Sequence, residues 1–213
     1  MKYDKVFTYL IKTTCTIAPS MAEPFIFPKI HSFPPLYTKQ PNLTVQEKQL
    51  ESWSDLILNY CQHYRVTSLS QAGLPLTSQN SQLKLDQLPS IFENKSIDRQ
   101  VNDEFKSIIF KYLVNKLHKA EYINVKKKDE GIFVWWKPLL EWASCLYNHM
   151  NDTGQTGTVF TIFELTSSNE LGLPESLRNI DSSVMIRILR SMVKQGRTQL
   201  IMEDGEIGGV KFI

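Results

Sequence analysis

The side chains able to act as nucleophiles, general bases or metal ligands are three cysteines and four histidines, so their spacing decides which chemistry is available. Cys61 and His63 are two residues apart and would therefore point in different directions on a helix. Cys145 and His149 are four residues apart and could meet on one helix face, but no oxyanion-binding motif accompanies them. We therefore interpret Cys61 as a core residue and the second pair as a chance spacing.

The wider set carries no metal or cofactor signature. Neither residue type shows a metal-ligand spacing such as CxxC, HxxxH or HExxH. The sequence also lacks a glycine-rich phosphate loop, a nucleophile elbow and a dinucleotide fingerprint. It therefore predicts no enzyme, no catalytic residue, no metal site and no cofactor. The residues concerned are Cys15, Cys61, Cys145, His31, His63, His118 and His149.

Composition indicates a chain that can bury a core and stay in a reducing compartment. Hydrophobic residues make up 42% and charged residues 22%, an ordinary globular mixture. An odd number of unpaired cysteines is typical of intracellular proteins, and no apolar run approaches the roughly 20 residues that a bilayer span needs. The apolar stretch at 6–11 is interrupted by Thr8 and Tyr9, so we expect no signal peptide. Met21 offers an alternative start.

The most biased stretch is residues 19–41, where prolines alternate with aromatic residues. Because proline fixes φ and removes backbone donors, we expect an extended, partly polyproline II tail. Its centre places Phe33, Leu36 and Tyr37 around Pro34 and Pro35, which would hold the three side chains ready for an apolar groove. Residues 34–37, with the sequence PPLY, also match PPxY, a ligand motif of WW domains. Alternatively, the tail folds back onto its own first domain.

Apolar residues at three- and four-residue steps predict a first helix, which we place after a Thr44/Glu47 capping box. Residues 66–90 are predicted to form a loop with one short strand at 66–69. A second helix is predicted from about Ser96, followed by a β-hairpin over 121–137. The two predicted apolar stripes are Leu50, Trp53, Ile57, Tyr60, Cys61 and Tyr64, and then Val101, Phe105, Ile108, Ile109, Tyr112, Leu113 and Leu117.

The pattern then repeats. A helix is predicted to start at Pro138, and a β-prone stretch follows at 158–161. A further helix is predicted between an Asp181 cap and Gly196, followed by a hairpin over 198–213 whose strands, 198–203 and 210–213, flank Asp204-Gly205 and Gly208-Gly209. The predicted stripes are Leu139, Trp142, Ala143, Leu146, Tyr147 and Met150, and then Val184, Ile188, Leu189, Met192 and Val193.

Both halves thus share the order helix, short strand or turn, helix and hairpin, which is the order of a winged-helix domain. We predict a mainly helical α+β fold with two tandem winged-helix domains behind an extended proline-rich tail. The predicted boundaries are 1–43 for the N-terminal extension and docking tail, 44–137 for the first domain and 138–213 for the second. Because the junction is only a residue or two long, the halves should pack as a stiff unit.

Two adjacent tryptophans lie in the first predicted hairpin. Consecutive strand residues point to opposite faces, so Trp135 and Trp136 cannot both enter one core. One of them should face the neighbouring domain, solvent or a partner, since aromatic residues often anchor interfaces. Trp53 and Trp142 lie on helical stripes and are interpreted as core.

Many winged-helix domains bind DNA, but the charge of this chain argues against it. Residues 138–213 hold six Lys/Arg against nine Asp/Glu, a net of −3, and an acidic domain lacks the phosphate contacts that supply non-specific affinity. Arg187, Arg190 and Lys194 recur at helical spacing and are interpreted as a solvated outer face. A winged-helix nucleic-acid-binding protein remains the alternative function.

The first predicted hairpin carries a run of lysines at 126–128 in its tip, where a DNA-binding wing would touch phosphate. Asp129 and Glu130 follow at once and weaken the field. We interpret the run as a soluble turn, with membrane or phosphate contact as the minority interpretation.

Several stretches, in matching order, resemble the ESCRT-II subunit family. They are FPPLYTKQPN at 33–42, KQLESW at 48–53 with Tyr60 and Cys61, IFEN at 91–94, WKPLLEW at 136–142, VFTIFELT at 159–166 and GVKFI at 209–213. The resemblance spans about residues 25–213, matches poorly in the 66–90 loop and leaves out residues 1–20.

The resemblance implies a non-catalytic assembly subunit built from two winged-helix domains. It assigns to Phe33, Pro34, Pro35, Leu36 and Tyr37 insertion into hydrophobic pockets of the sister subunits, vacuolar protein sorting-associated proteins 22 and 36. It implies two copies per complex, and recruitment of the ESCRT-III subunit, protein 20, by the second winged-helix domain. The implied location is the cytoplasm and, peripherally, the endosomal membrane, during sorting of ubiquitinated cargo into multivesicular bodies. A PPxY ligand of WW-domain ubiquitin ligases stays as a further alternative.

Overall fold

Two hydrophobic cores organise the chain in a computed structural model, which describes residues 23–167 and 170–213. The first core surrounds helices α1 (Leu43–Tyr64) and α2 (Asp103–Asn115), and the second surrounds α3 (Leu139–Asp152) and α5 (Ser182–Lys194). The expectations for residues 1–22, including Cys15 and the signal peptide, lie outside the described part. No helix in that part is long and apolar enough to cross a membrane.

The strands of the first half are β1 (Val66–Leu69), β2 (Pro75–Ser78), β3 (Glu93–Asn94), β4 (Arg99–Gln100), β5 (Ala120–Tyr122) and β6 (Ile132–Val134). Four of them form an antiparallel sheet in the order β2-β1-β6-β5. A separate two-stranded hairpin, β3–β4, precedes α2. The order helix, strand, helix, hairpin therefore holds, with extra strands inserted between β1 and α2.

The second half follows the same order with a three-stranded sheet, β7-β9-β8. After α3 come β7 (Val159–Phe160), α4 (Ile162–Thr166), α5, β8 (Thr198–Glu203) and β9 (Glu206–Phe212). The β8–β9 hairpin closes on Asp204 and Gly205, whose φ values of 49° and 86° suit a two-residue turn. The predicted turn residues Asp204 and Gly205 are confirmed, whereas Gly208 and Gly209, predicted to lie between the strands, belong to β9.

Helix α1 begins two residues earlier than the predicted capping box allows, since a cap at Thr44 would put the first helical residue at 45. Asn42 is the N-cap, and its side chain accepts hydrogen bonds from the backbone N–H groups of Thr44 and Val45. Asparagine is among the best N-cap residues, so Thr44 lies inside the first turn and caps nothing. Every residue of the predicted α1 stripe is buried. The helix ends at Tyr64, and its C-cap Arg65 has a left-handed conformation.

Helix α2 begins seven residues after the predicted start at Ser96. Asn102 caps it by accepting from the Phe105 N–H, and Asp98, with φ of 52°, turns the chain between β3 and β4. Val101 is buried as predicted but lies before the helix. The apolar periodicity extends to residues before 103, which is why the helix was predicted to start too early. These residues instead form the β3–β4 hairpin, and Asn102 fixes the start of the helix.

Two further predictions were wrong. Residues 66–90 hold a second strand, β2, which begins at Pro75 on the edge of the sheet, where proline costs no ladder hydrogen bond. Val193 is 40% exposed instead of core, because it lies beyond the buried face of α5. The Asp181 cap and the Gly196 end of that helix are confirmed.

Strand β6 and the residues after it serve both cores. Ile132 and Val134 belong to the first core, whereas Phe133 and Trp135 belong to the second. This is the alternation expected of a strand. Trp136 packs against both cores and donates its indole N–H to the Val66 carbonyl at 3.1 Å. The tryptophan pair therefore points into the neighbouring domain, one of the three predicted destinations.

Arg187 of α5 joins the two halves. Its guanidinium lies 4.0 Å from the centre of the Phe133 ring, and its Nε lies 3.2 Å from Glu121 Oε1. The Nε–H is not aligned for a hydrogen bond, so this contact is one of charge. On the other side of the joint, Arg65 contacts Glu175 at 3.6 Å. Arg187 is therefore an inter-domain residue, and its assignment to a solvated face was wrong.

Candidate protein-docking site

Residues 29–37 of the proline-rich segment form two single 3-10 turns, Lys29–Ser32 and Pro34–Tyr37, so the prediction of an extended tail is wrong for this part. Pro34 and Pro35 occupy the first positions of the second turn. At these positions a missing N–H removes no helical hydrogen bond and the fixed φ suits the turn. The turn closes with the Leu36 N–H donating to the Phe33 carbonyl at 2.9 Å.

The structure divides the five predicted docking residues into two sets. Leu36 and Tyr37 are only 3% and 4% exposed and belong to the first hydrophobic core. Phe33 is 52% exposed, and Pro34 and Pro35 are exposed beside it. The segment therefore folds back onto its own first domain, the alternative named from the sequence, while its outer part stays accessible.

Helix α1 holds the buried part of the segment with two side chains. The Trp53 indole N–H donates to the Leu36 carbonyl at 2.9 Å. The Gln49 amide donates to the carbonyls of Pro35, Leu36 and Thr38 at 3.0, 2.9 and 2.8 Å. Because proline has no backbone N–H, the segment offers mainly carbonyl groups, and side-chain N–H groups of α1 donate to them.

A second network anchors the turn that precedes Phe33. His31, 4% exposed, places Nε2 3.2 Å from the Ile91 carbonyl and Nδ1 3.2 Å from the Asn94 amide nitrogen. A carbonyl only accepts, so Nε2 carries the proton and Nδ1 accepts from Asn94. The His31 carbonyl in turn accepts from Asn94 at 2.9 Å and from the Tyr37 hydroxyl at 2.8 Å. The network satisfies its polar groups with a neutral imidazole.

Burial sets the protonation of these groups. It raises the pKa of Tyr37 to about 12, so this hydroxyl keeps its proton and remains a donor. Burial lowers the pKa of His31, and the hydrogen bond to Ile91 opposes that shift only in part. A protonated His31 would place an N–H against the Asn94 amide, donor against donor.

The free energy of unfolding should fall as the pH drops below 6.5, the ordinary histidine pKa. There the unfolded chain takes up a proton on His31 that the folded chain does not, so stability is lost with decreasing pH. One such group gives a slope of at most about 1.4 kcal/mol per pH unit. Urea unfolding of wild type and His31→Gln between pH 5 and 8 measures it. An identical slope in both proteins would show that His31 is not the group responsible.

Burial of Tyr37 disfavours the interpretation as a WW ligand. A PPxY ligand must offer its tyrosine to a groove on the partner, whereas the Tyr37 ring packs edge-on against Trp53 at 5.5 Å. Binding to a WW domain would have to extract this side chain and break its hydrogen bond to His31.

The cysteine and histidine pairs have separate partners. Cys61 is fully buried, which raises the pKa of its thiol, and His63 donates its Nε2–H to the Glu23 carbonyl at 2.6 Å. Cys145 lies 3.6 Å from the Ser176 hydroxyl, and the His149 imidazole lies 2.8 Å from the Leu171 carbonyl. Within residues 23–167 and 170–213, no three His, Cys, Asp or Glu side chains group as metal ligands.

Part of the basic side chains that could favour nucleic acid contact other residues of the protein. Arg187 packs in the joint between the halves, while Arg190 and Lys194 of the same helix are exposed. In the lysine run, Lys127 lies 3.9 Å from Glu130, and Lys128 lies over the Tyr122 ring at 5.2 Å. These contacts favour the interpretation of the run as a soluble turn.

Sequence reasoning missed the side chains that position the segment, namely Gln49, His31 and Asn94. Trp53 was assigned to the core, without its hydrogen bond to the tail. The available signal was a glutamine one residue before Leu50 in an apolar helical stripe, since a polar residue beside a buried face must find a partner.

Comparison with known proteins places these features in a family. The model of the ESCRT-II complex subunit family matches residues 30–181. Vacuolar protein-sorting-associated protein 25 of Danio rerio is 30% identical, over 88% of this chain and 98% of its own length. The protein of that name from Drosophila melanogaster is 31% identical, over 90% and 99%.

Solved structures agree. The crystal structure of subunit 25 of the endosomal trafficking complex ESCRT-II has a TM-score of 0.72 at 25% identity, covering 88% of this chain and 98% of that one. In the crystal structure of the ESCRT-II complex of vacuolar protein sorting proteins 22, 25 and 36, the matching chain has a TM-score of 0.71 at 25% identity, with the same coverage. The predicted α+β fold with winged-helix domains is confirmed, and this chain belongs to the ESCRT-II complex subunit family.

Proposed function

We propose that this chain is a non-catalytic subunit of an ESCRT-II complex in endosomal sorting, and that it docks to its sister subunits through the exposed part of the proline-rich segment. The observation that carries the proposal is the half-exposed Phe33 ring beside two exposed prolines on a segment that is otherwise anchored. The related complex contains proteins 22 and 36, which are the proposed sister subunits here. Two copies of this chain per complex belong to the same proposal.

The segment divides its work between anchoring and docking. Leu36 and Tyr37, predicted to contact the partner, instead fix the turn to α1. Phe33, Pro34 and Pro35 then face outward in a conformation that is already ordered. A pre-ordered apolar side chain loses little conformational entropy on binding, which favours affinity.

Replacing Phe33 with alanine should weaken binding to the sister subunits at least tenfold, because truncating a buried aromatic anchor removes an interface hot spot. The measurement is a titration of the purified chain against co-expressed proteins 22 and 36. Leu43→Ala is the matched control, since Leu43 is an exposed apolar residue outside the segment. Equal affinities for wild type and Phe33→Ala would remove this docking role.

The domain boundaries at 44–137 and 138–213 are retained as part of the proposal. The second unit is proposed to recruit the ESCRT-III subunit, protein 20, at the endosomal membrane. Its net charge of −3 supports contact with a basic segment. Glu203, Asp204 and Glu206 lie exposed at its hairpin tip and form no ion pair with other residues of the described part.

Association with that partner should slow as salt is raised from 50 to 500 mM, because opposite fields steer the encounter and salt screens them. Stopped-flow association rates over this range measure the effect. A rate independent of salt would contradict the role given to the acidic domain.

A further inference from the structure

Strand β8 is an open edge of the second sheet, whose order is β7-β9-β8. Among the edge strands of the described part it is the longest, with six residues against four in β2, three in β5 and two in β7. Proteins protect such edges, which carry unpaired backbone N–H and C=O groups, with short strands, proline or lysine. Strand β2 begins with Pro75, whereas β8 contains neither proline nor lysine. Its backbone is therefore open to pairing with another strand.

The irregularity in the β8–β9 pair does not interrupt this edge. Ile201 lies opposite Gly209 and Met202 lies opposite Ile207, so the extra residue, Gly208, belongs to β9. Strand β8 itself continues without an insertion. Ile201 is 41% exposed and Met202 is 58% exposed along it. A continuous edge with exposed apolar side chains is a template on which a further strand can form.

The charges of this edge lie at its two ends. Arg197 immediately precedes β8 and Glu203 is its last residue, whereas residues 198–202 carry no charge. The Arg197 guanidinium is held over the Tyr147 ring at 4.9 Å and donates to the Ser144 hydroxyl at 3.4 Å. Neither Arg197 nor Glu203 forms an ion pair with another described residue. The edge therefore has an unpaired cation at one end and an unpaired anion at the other.

A strand with this arrangement is complementary to itself. If two copies of β8 pair antiparallel about Leu200, each Arg197 lies opposite Glu203 of the other copy. Opposite charges at facing cross-strand positions stabilise a sheet, and this register contains two such pairs. It also places the two Ile201 side chains at diagonal positions on one face. Shifting the register separates both charge pairs, so the charges select this alignment.

We propose that two copies of this chain associate through their β8 edges, so that their three-stranded sheets form one continuous six-stranded sheet. The occupant of the edge is a second copy because the charge pattern that complements β8 is that of β8 itself. A two-fold axis through Leu200 relates the copies, as in other isologous dimers. The contact is smaller than a standard interface and is therefore weak. Since Glu203 belongs to the acidic hairpin tip, a second copy and a basic partner segment compete for it.

The test is sedimentation velocity of the full chain alone, at concentrations from about 10 μM to 1 mM. Wild type should shift from monomer toward dimer over this range. Glu203→Arg and Arg197→Glu each place like charges opposite one another at both ends of the pair, so each should weaken dimerisation about tenfold or more. An equimolar mixture of the two variants should dimerise again, because every facing pair between them has opposite charges.

Asp152→Arg on α3 is the control, since it makes the same change in net charge and should dimerise like wild type. Ile201→Lys is a second edge variant that leaves the Tyr147 and Ser144 contacts of Arg197 intact, and it should also weaken dimerisation. Thermal unfolding confirms that each variant is folded. A chain that stays monomeric at every concentration would overturn the inference. So would a dimer that Glu203→Arg and Ile201→Lys leave unchanged, or a mixture of folded variants that stays monomeric. Because other subunits are absent, the result does not depend on the proposed function.

Discussion

Replacing Trp53 with alanine should lower the free energy of unfolding by about 3–5 kcal/mol, the range for truncating a fully buried aromatic side chain. Trp53 is 0% exposed, and its ring contacts the rings of Phe92 at 5.2 Å and Tyr37 at 5.5 Å. Alanine would leave a cavity at the centre of the first core and remove a donor from the Leu36 carbonyl. Urea denaturation followed by far-UV circular dichroism measures the loss.

The same substitution should loosen the proline-rich segment while the protein remains folded. Amide hydrogen exchange over residues 29–40 should quicken more than in the rest of the first half, because Tyr37 loses the ring that it packs against and the Leu36 carbonyl loses its donor. Gln49 still binds three carbonyls of the segment, so partial protection should persist.

Trp142→Ala is the matched control. Trp142 is equally buried but lies in the second core, and its indole nitrogen has no hydrogen-bond partner among the described residues. It should lower stability by a comparable amount and leave exchange at 29–40 unchanged. If both variants release the segment equally, general destabilisation and not the Trp53 contact is responsible.

The sequence was sufficient to predict the features that local patterns determine. The α1 stripe recurs at helical spacing and is wholly buried, because one face of a helix must meet the core. The Asp204–Gly205 turn followed from residues that tolerate positive φ. With two such halves in series, the winged-helix order was readable before any contact was known.

The conformation of the proline-rich segment could not be predicted from the sequence, because residues far away along the chain determine it. The composition of residues 19–41 predicts an extended tail, but Gln49 and Trp53 bind its carbonyls and Asn94 binds the turn before it. Nothing in a local pattern connects Leu36 with a tryptophan 17 residues away or His31 with an asparagine 63 residues away. The sequence therefore indicated which residues were unusual but could not separate the buried residues, Leu36 and Tyr37, from the exposed ones, Phe33, Pro34 and Pro35.

The position of Arg187 was beyond sequence reasoning for the same reason. Helical spacing groups it with Arg190 and Lys194, and a stripe of cations on a helix is usually solvated. Only its contacts with β5 and β6 distinguish Arg187 from the two exposed cations, since Glu121 and Phe133 come from the other half of the chain. A short linker between the halves predicted a stiff junction, and the Arg187 side chain is a specific contact across it.

Replacing Arg187 with glutamate should lower the free energy of unfolding by about 2 kcal/mol and loosen the joint. A cation packed on a ring away from water contributes up to about 2 kcal/mol, and Phe133 is only 4% exposed. The ion pair adds little, because Glu121 is about half exposed and its charge is screened. The new carboxylate would also face Glu121 and repel it.

Small-angle scattering and NMR rotational correlation times of each half report the joint directly. In wild type the two halves should tumble with one correlation time, and in Arg187→Glu with two shorter ones. Arg190→Glu on the same helix is the control, since Arg190 is exposed and should change neither quantity. Adding Glu121→Arg to Arg187→Glu should recover part of the loss by restoring opposite charges across the joint. If Arg190→Glu loosens the halves as much as Arg187→Glu does, net charge and not this contact holds them together.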